Sequence, residues 1–387
     1  MNVSEDLLLI DEVRILHTAD VHIGARFEFL RLRGDDQRDT VRETFTTVVQ
    51  KAREGRYHLL IIAGDLFDSA YSVAERDLSF VLKCLGETGC HVVILPGSHD
   101  YWSAGSVFEM ELRRFESCGN VNVFNPQERV ITFPELSLAV HGKALISPHT
   151  TEGAISELQP LEGFKWNIAV AHGSVVGISG VPKDIENPIY LDELQEGFDY
   201  IALGHWHSYL VVKQEEPPVI YSGAPELIAR DQRGAGSVAS VTITDASVSA
   251  SRVDVGRRHV VSAVIDCSGV ETTEELVRKV VGNVPEDKDC VLELSLTGVI
   301  ATDAVIDPFH ALEMLQDHYF SVRLTGERPA REMSRDDLLA TPETTVAGKF
   351  IRLLLEQIEK STGTEKDLLE EALQMGYQLF RGRNPLV

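Results

Sequence analysis

Five short apolar runs stand out along the first half of the chain: Val13–Leu16, Leu59–Ala63, His91–Leu95, Ile168–Ala171 and Tyr200–Leu203. Each is four or five residues long, rich in Ile, Val and Leu, and closes on a polar or glycine-containing turn. Runs of that length suit strands buried on both faces of a layered sheet. Between the first two, Val41, Phe45, Val48, Val49 and Ala52 recur at helical spacing within Asp39–Arg56. The segment reads as strand, helix, strand, the unit of an α/β layer. Shorter strand candidates at Ser137–Val140 and Val219–Ser222 carry the sheet system on through residue 245.

Beyond that point the pattern changes. Val238–Ile243 and Ser247–Val253 broadly alternate apolar and polar positions, as half-exposed strands do. A strand candidate at Val260–Ile265, a helix from Glu274 to Val281 and a strand at Cys290–Leu296 follow. Thr272 and Glu275 make a capping-box pattern at that helix start, and Gly282-Asn283 supplies the stop. Near the end of the sequence, Ile351, Leu354, Leu355 and Ile358 fall on one helical face, and Leu369, Ala372, Leu373 and Phe380 on one face of a second helix. Ser361-Thr362-Gly363-Thr364 makes the turn between them. Such amphipathic helices either pack on their own domain or dock on a partner. The expected domains are an α/β domain over 1–255, a small α+β domain over 256–335 and a helical region over 336–387.

Composition narrows the class. At 387 residues, against roughly 150 per domain, about 2.6 domains are expected. With 43% hydrophobic and 25% charged residues the chain has the make-up of a globular protein, which excludes a disordered chain, a collagen-like repeat and a coiled-coil rod. Its net charge of −24 means that it does not hold polyanions by bulk charge; nucleic acid would have to be met by local basic patches or metal ions. Five cysteines, odd in number and without CxxC spacing, argue against a disulfide framework or a cysteine zinc cluster and point to a reducing cytoplasm. The acidic opening MNVSEDLLLIDEVR does not read as a signal peptide, and no run approaches 18 apolar residues, so a soluble cytoplasmic protein with no membrane contact is expected.

The chemistry sits where the five strands end. The first is followed by His17-Thr18-Ala19-Asp20-Val21-His22, the second by Gly64-Asp65-Leu66-Phe67-Asp68 and the third by Pro96-Gly97-Ser98-His99-Asp100. The fourth ends at His172-Gly173 and the fifth at Gly204-His205-Trp206-His207. Loops at the carboxyl ends of strands build the site in α/β sheets, so the five clusters can converge in one crevice. A dinuclear metal site needs a carboxylate bridging both ions plus imidazoles and carboxylates to complete each shell. Mixed His/Asp ligation without thiolate suits Mn, Fe or Zn better than Ca. Glycines beside Asp65, Ser98, His172 and His205 let the backbone turn so that short side chains reach a shared centre. His58, His91, His141 and His149 read as structural histidines.

DxH, GDxxD, a GNHD-like element, a lone His and GHxH, in this order, resemble the calcineurin-like metallophosphoesterases. ILHTADVHIG, IIAGDLFDS and DYIALGHWHSY are similar to the DNA-repair exonuclease branch, the SbcD-type nuclease subunits and above all the YhaO-like proteins. The resemblance runs through residues 13–225 in its motifs and more loosely onward. It implies a four-layer αββα sandwich followed by an α+β capping domain and C-terminal helices. It also implies one divalent ion held by Asp20, His22, Asp65 and His207 and a second by Asp65, Ser98, His172 and His205, with Mn favoured over Fe, Zn or Mg. His99 would protonate the leaving oxygen or stabilise charge there, Asp100 would orient that imidazole, and Asp68 would steer loop or substrate. The implied activity is two-metal hydrolysis of DNA phosphodiesters by a metal-bound water. The implied partners are DNA, a second copy of the chain, and an SMC-like ATPase of the SbcC type docked on helices at 346–360 and 365–381.

One position departs from that pattern. Ser98 stands where the family supplies Asn as a ligand, and a hydroxyl is a shorter and weaker donor than an amide oxygen. A weaker second metal site is expected. Two other readings stay open: a phosphoesterase of small nucleotides or lipid-linked phosphodiesters, and a catalytically weakened interaction subunit. Basic residues cluster locally at Arg26, Arg31 and Arg33 after the first motif, at Arg113-Arg114 and at Arg252, Arg257 and Arg258; the first group offers phosphate contacts, and pairing with the chain's many carboxylates is the alternative. Tyr101 and Trp102 can stack on bases or pack around the site, and Trp206 reads as packing.

Overall fold

The structure, a computed structural model, describes residues 10–178, 187–193, 196–230, 233–302, 304–326 and 329–382. The first nine residues, on which the reading of the N-terminus largely rests, lie outside the described residues, as do the last five of the 336–387 region. The chain divides into two compact units, Met1–His259 and Val260–Val387.

The first unit contains, in chain order, β1 (Glu12–Thr18), β2 (Leu59–Ala63), β3 (His91–Leu95), β4 (Val121–Val123), β5 (Val130–Phe133), β6 (Leu138–Gly142) and β7 (Trp166–His172). There follow β8 (Ser174–Val175), β9 (Pro188–Ile189), β10 (Tyr200–Gly204), β11 (Leu210–Lys213), β12 (Val219–Tyr221), β13 (Ser237–Thr244) and β14 (Val248–Asp254). One six-stranded sheet has the order β14-β13-β1-β2-β3-β4 and the other β11-β12-β10-β7-β6-β5, while β8 and β9 form a small pair. β1, β2, β3 and β4 are mutually parallel, as are β6, β7, β10 and β12, so within each sheet these strands end on the same side. Antiparallel neighbours appear only toward the sheet edges, where β13 joins β1, β14 joins β13, β11 joins β12 and β5 joins β6.

Alternation decides what each strand faces. Val13, Ile15, Leu59, Ile61, Val93 and Leu95 meet Val140, Ile168, Val170, Tyr200 and Ala202 in one buried cluster between the sheets. The residues between them in the first sheet, Leu16, Leu60, Ile62, Val92 and Ile94, are buried as well. That face is covered by α1 (Gly34–Glu54), α2 (Glu75–Gly86) and α3 (Val107–Glu116), whose own buried stripes include Val41, Phe45, Val48, Leu78, Val81, Phe108 and Phe115. The outer face of the second sheet is covered as well. There Ala169, Ala171, Ile201, Leu203 and Tyr221 pack under Ala154, Ile155, Leu158, Ile189 and Phe198. Among the described residues this cover is built from turns, the short β9 and a 3₁₀ turn at Leu191–Glu193.

The second unit has its own core. β15 (His259–Asp266), β16 (Asp287–Thr297) and β18 (Tyr319–Thr325) form a three-stranded sheet, and the short β17 (Val299–Ile300) pairs with β19 (Ala330–Arg331). Leu276, Val277 and Val280 of α4 (Thr273–Asn283) and Ala311 and Leu315 of α5 (Pro308–Leu315) pack on Cys290, Leu292, Leu294 and Tyr319. Thr272 caps α4 by accepting from the Glu275 N–H at 3.3 Å. After α6 (Arg335–Leu339) come α7 (Val346–Lys360) and α8 (Thr364–Phe380), and Ile351 and Ile358 of the first bury against Leu373 and Tyr377 of the second. All five cysteines are free thiols; burial pushes Cys90, Cys267 and Cys290 up to about 11, away from the reactive thiolate. No helix among the described residues is long and apolar enough to cross a membrane.

His17 lies at the centre of the sandwich, fully buried, its Nδ1 2.9 Å from the Tyr200 hydroxyl of the opposite sheet. Burial lowers its pKa from 6.5 to about 3. Between those values the unfolded chain takes up a proton that the folded chain refuses, so stability contributed by neutral His17 is intact above pH 6.5 and is lost as the pH falls toward 3. The expected slope from this group is about 1.4 kcal/mol per pH unit. Urea unfolding of the protein and of His17→Gln from pH 7 to pH 4 checks it: the variant should lose that share of the pH dependence.

Candidate metal centre

Each strand that ends in a polar cluster delivers it to the same crevice. β1 leads to Asp20 and His22, β2 to Asp65 and Asp68, β3 to Ser98 and His99, β7 ends on His172, and β10 leads to His205 and His207. The loops are stitched together by their backbones: Asp20 N–H donates to the Gly64 carbonyl at 3.0 Å, and His22 N–H to the Asp65 carbonyl at 3.0 Å. Two glycines make the approach possible. A Cβ on Gly97 would stand 2.3 Å from Asp65 Oδ1, and one on Gly64 would stand 2.1 Å from His172 Nδ1. Asp20, His22, Asp65 and His205 themselves hold left-handed backbone, with φ of 54°, 51°, 53° and 99°. Conformations of that kind cost of order 1–3 kcal/mol each and persist where surrounding structure over-determines them.

The side chains converge on Asp65. Its Oδ1 accepts the His99 N–H at 2.8 Å, and its Oδ2 accepts from Ser98 Oγ at 3.1 Å. The same Oδ2 lies 3.2 Å from His172 Nε2 and 3.8 Å from His22 Nε2. Asp20 accepts the His205 N–H at 3.0 Å on both oxygens, with His207 Nε2 at 3.7 Å. Three sets of donor atoms lie within 4.8 Å of one another: Asp20, His22 and His207; His22, Asp65 and His99; and Asp20, Asp65 and His172. The His172 and His205 rings meet edge to face at 5.3 Å. Of the residues expected at the site, only Ser98 reaches the group through a hydroxyl, which here donates to Asp65 and lies 3.3 Å from His172 Nε2.

The electrostatics of the cluster follow from burial and from its own charges. Burial, reinforced by the charge on Asp65, pushes Asp20 up to about 6. Burial works against ionising Asp65 too, yet the His172 imidazolium beside it holds it well below the carboxylate range. His172 is correspondingly driven up to about 9, Asp65 outweighing desolvation. Burial and neighbouring positive charge instead lower His205 to about 4 and His207 well below the usual range, leaving both as neutral nitrogen donors. His22 Nε2 is buried with no hydrogen-bond partner. Two buried carboxylates, neutral imidazoles and an orphaned ring nitrogen facing one point are the donor set that a divalent cation satisfies.

Similarity to known proteins names the family. The sequence profile of the calcineurin-like phosphoesterases matches residues 13–209, more than half of the chain. The chain belongs to the calcineurin-like phosphoesterase family. DNA double-strand break repair protein Mre11 of Methanopyrus kandleri is 30% identical to this phosphoesterase over 245 residues, covering 58% of the chain and 52% of that protein. YhaO of Bacillus subtilis, an uncharacterized metallophosphoesterase, is 25% identical over 252 residues, 62% of the chain and 60% of YhaO. The SbcD component of the nuclease SbcCD of Escherichia coli K12 is 26% identical over 257 residues, 57% of the chain and 62% of that component. The matches thus span less than two thirds of the length of each of these relatives.

One expected contact is corrected. Asp100 does not orient His99. Its buried carboxylate accepts backbone N–H groups from Gly97 at 2.7 Å, Phe67 at 3.0 Å and Asp65 at 3.3 Å, so it braces the loops that carry the phosphoesterase's donors. Asp68 takes the orienting position instead. Its backbone carbonyl lies 3.2 Å from His99 Nδ1, and its Oδ1 lies 3.2 Å from His22 Nδ1 and 3.9 Å from His99 Nδ1. The His22 and His99 rings stand edge to face at 4.6 Å around it. Tyr221, which sequence analysis did not single out, donates its buried hydroxyl to the Gly173 carbonyl at 2.7 Å and accepts from the Val175 N–H at 2.9 Å. It thereby fixes the turn behind His172; a tyrosine in a fully buried strand, needing a partner for its hydroxyl, is the signal that would have found it.

The arginines divide. Arg33 pairs with Asp36, Arg114 with Glu75 and Glu111, Arg252 with Asp254 and Arg257 with Glu43, so the carboxylate-pairing alternative holds for these. Arg258 is buried. Arg26 is exposed four residues beyond His22. Tyr101 packs edge to face on Tyr71 at 5.9 Å, Trp102 lies against the inter-sheet core, and Trp206 packs on the outer face of the second sheet. Because Asp68 sets the ring of one donor histidine, Asp68→Ala should weaken divalent-metal affinity about 10- to 100-fold. Titration of Mn(II) followed by the EPR signal of the free ion measures it directly.

Proposed function

We propose that this phosphoesterase cleaves DNA, as a metal-dependent exonuclease of the repair type. The observation that carries the chemistry is the convergence of Asp20, His22, Ser98, His172, His205 and His207 around Asp65, with half-exposed His99 at the rim. The choice of DNA is supported by relatives whose names assign them to double-strand break repair and to the SbcCD nuclease. Asp20, His22, Asp65 and His207 would hold one ion, and Asp65, Ser98, His172 and His205 the other, with Mn preferred among Mn, Fe, Zn and Mg. Such ions, when bound, neutralise phosphoryl charge and lower the pKa of water.

The chain's own residues do the rest. Asp65 anchors the His99 loop through the His99 N–H, and Asp100 keeps that loop in shape. The Asp68 carbonyl accepts Nδ1–H of His99, which leaves Nε2 as the ring nitrogen for substrate; in the imidazolium form it protonates the leaving oxygen. Arg26 and Tyr101 are assigned to the DNA backbone and bases beside the crevice. A second copy of the chain and an SMC-like ATPase of the SbcC type are the proposed partners, the latter on α7 and α8. Free thiols throughout suit the cytoplasm.

Ser98 favours a second reading, a subunit weakened in catalysis, since its hydroxyl is engaged by Asp65. Ser98→Asn should raise the stoichiometry of bound Mn toward two and increase turnover; no change in either sinks the weak-ligand argument. The primary test is degradation of end-labelled duplex and single-stranded DNA with Mn, with Mg and with chelator. Cutting should require Mn and fall by about 100-fold or more in His99→Ala and Asp65→Asn. Intact DNA alongside rapid hydrolysis of a small phosphodiester would reject the DNA reading.

A further inference from the structure

A cavity of about 240 Å³ opens at the carboxyl end of β6, the strand paired with the one that ends on His172. Leu145, in its lining, is tied on both sides to the loop carrying Ser98 and His99. Its N–H donates to the Pro96 carbonyl at 3.3 Å, and its own carbonyl accepts from the Trp102 N–H at 2.7 Å. Strand register gives the same placement: Gly142 at the end of β6 pairs with Val170 of β7, two residues before His172. The cavity therefore lies one strand outward from His172, at the same end of the sheet.

Its lining combines two chemistries. Ala144 and Leu145 are buried and apolar, and Ile146 stands 63% exposed. Arg129 and Lys143 supply positive charge, and Glu152 lies in the lining with them. Lys143 Nζ is 2.9 Å from Glu152 and Arg129 Nη1 is 2.8 Å from Glu157, but the two carboxylates are about three-quarters exposed, at 74% and 70%. Surface pairs of this kind are worth little, so both cations can turn to a phosphate at small cost. The volume is below the roughly 300–1,000 Å³ of sites for drug-sized ligands, and it suits one flat ring. An apolar wall takes the face of such a ring, and a phosphate satisfies the cations.

We infer that this cavity is a nucleotide subsite, holding the nucleotide next to the one whose phosphodiester lies at His99. The base rests against Leu145 and Ile146, and the phosphate meets Lys143 and Arg129. The assignment rests on the nuclease reading; the same chemistry would accept a free nucleoside monophosphate, and the experiment separates the two.

Deoxyadenosine monophosphate is titrated by calorimetry into the full chain in EDTA, so that binding is read without metal or turnover. Lys143→Ala should weaken binding about tenfold, the worth of one charge-assisted hydrogen bond, and Glu152→Gln, which removes the competing carboxylate, should tighten it. With Mn, Lys143→Ala should raise KM for a labelled oligonucleotide by a similar factor. Its rate on bis(p-nitrophenyl) phosphate, which has no second nucleotide, should stay unchanged. Mononucleotide affinity that ignores both substitutions overturns the subsite. Affinity that responds while KM for DNA does not makes it a free-nucleotide site and overturns the strand assignment. Failure of the nuclease reading looks different: the unsubstituted chain cuts no DNA while substitution-sensitive binding persists, and the cavity then belongs to a small-substrate phosphoesterase.

Discussion

The structure of the site depends on a single buried carboxylate. Asp65 is 1% exposed, and its two oxygens are shared by the Ser98 hydroxyl, the His99 N–H and the His172 imidazole. These partners come from the ends of β3 and β7, which belong to different sheets. An unpaired carboxylate at this depth would cost several kcal/mol, so the charge is tolerable only if the strand ends meet with little error. That demand fixes the glycines: no larger residue than Gly97 fits against Asp65, and none than Gly64 against His172.

The two sheets are what deliver that accuracy. Each central strand is apolar on both sides, so it is held by the inter-sheet core on one face and by an outer layer on the other. A shift by one residue would exchange the faces of a strand and carry its terminal cluster out of the crevice. Hydrophobic burial thus sets the position of polar groups that it does not itself touch. Placing His99 on the same carboxylate as the other donors also means that the loop bearing the candidate acid and the cluster of candidate ligands are organised together.

This division explains what the sequence made legible. β2 is five buried residues, and β3 has four buried residues out of five, so their apolar runs needed no periodicity to be recognised as strands. The stripe Ile351, Leu354, Leu355 and Ile358 showed α7 equally plainly, and it packs with α8 rather than standing open. The metal-ligand residue types were visible because they follow strands at once, leaving few backbone bonds in which to diverge. The partner of His99 was not visible. The family resemblance implied that Asp100 meets the ring, but consecutive side chains in this loop point apart: Asp100 is wholly buried among N–H groups and His99 faces solvent. Which way a loop side chain turns depends on φ values that composition does not encode. Turns such as Ala154–Leu158, which help to cover the second sheet, carry no period to detect.

The left-handed backbone at Asp20, His22, Asp65 and His205 bears on how this domain can drift over evolutionary time. Such backbone is occupied readily only by glycine, and among other residues most often by Asn, Asp and His. These positions therefore answer to two selections, one for a donor atom and one for a permitted conformation. If the first were relaxed the second would remain, because the loops still have to close over the sandwich. A descendant that had lost its metals would be expected to carry Asn or Gly at these places rather than an arbitrary residue. Within such a lineage, motifs that look half intact would be a record of backbone geometry, not of surviving activity.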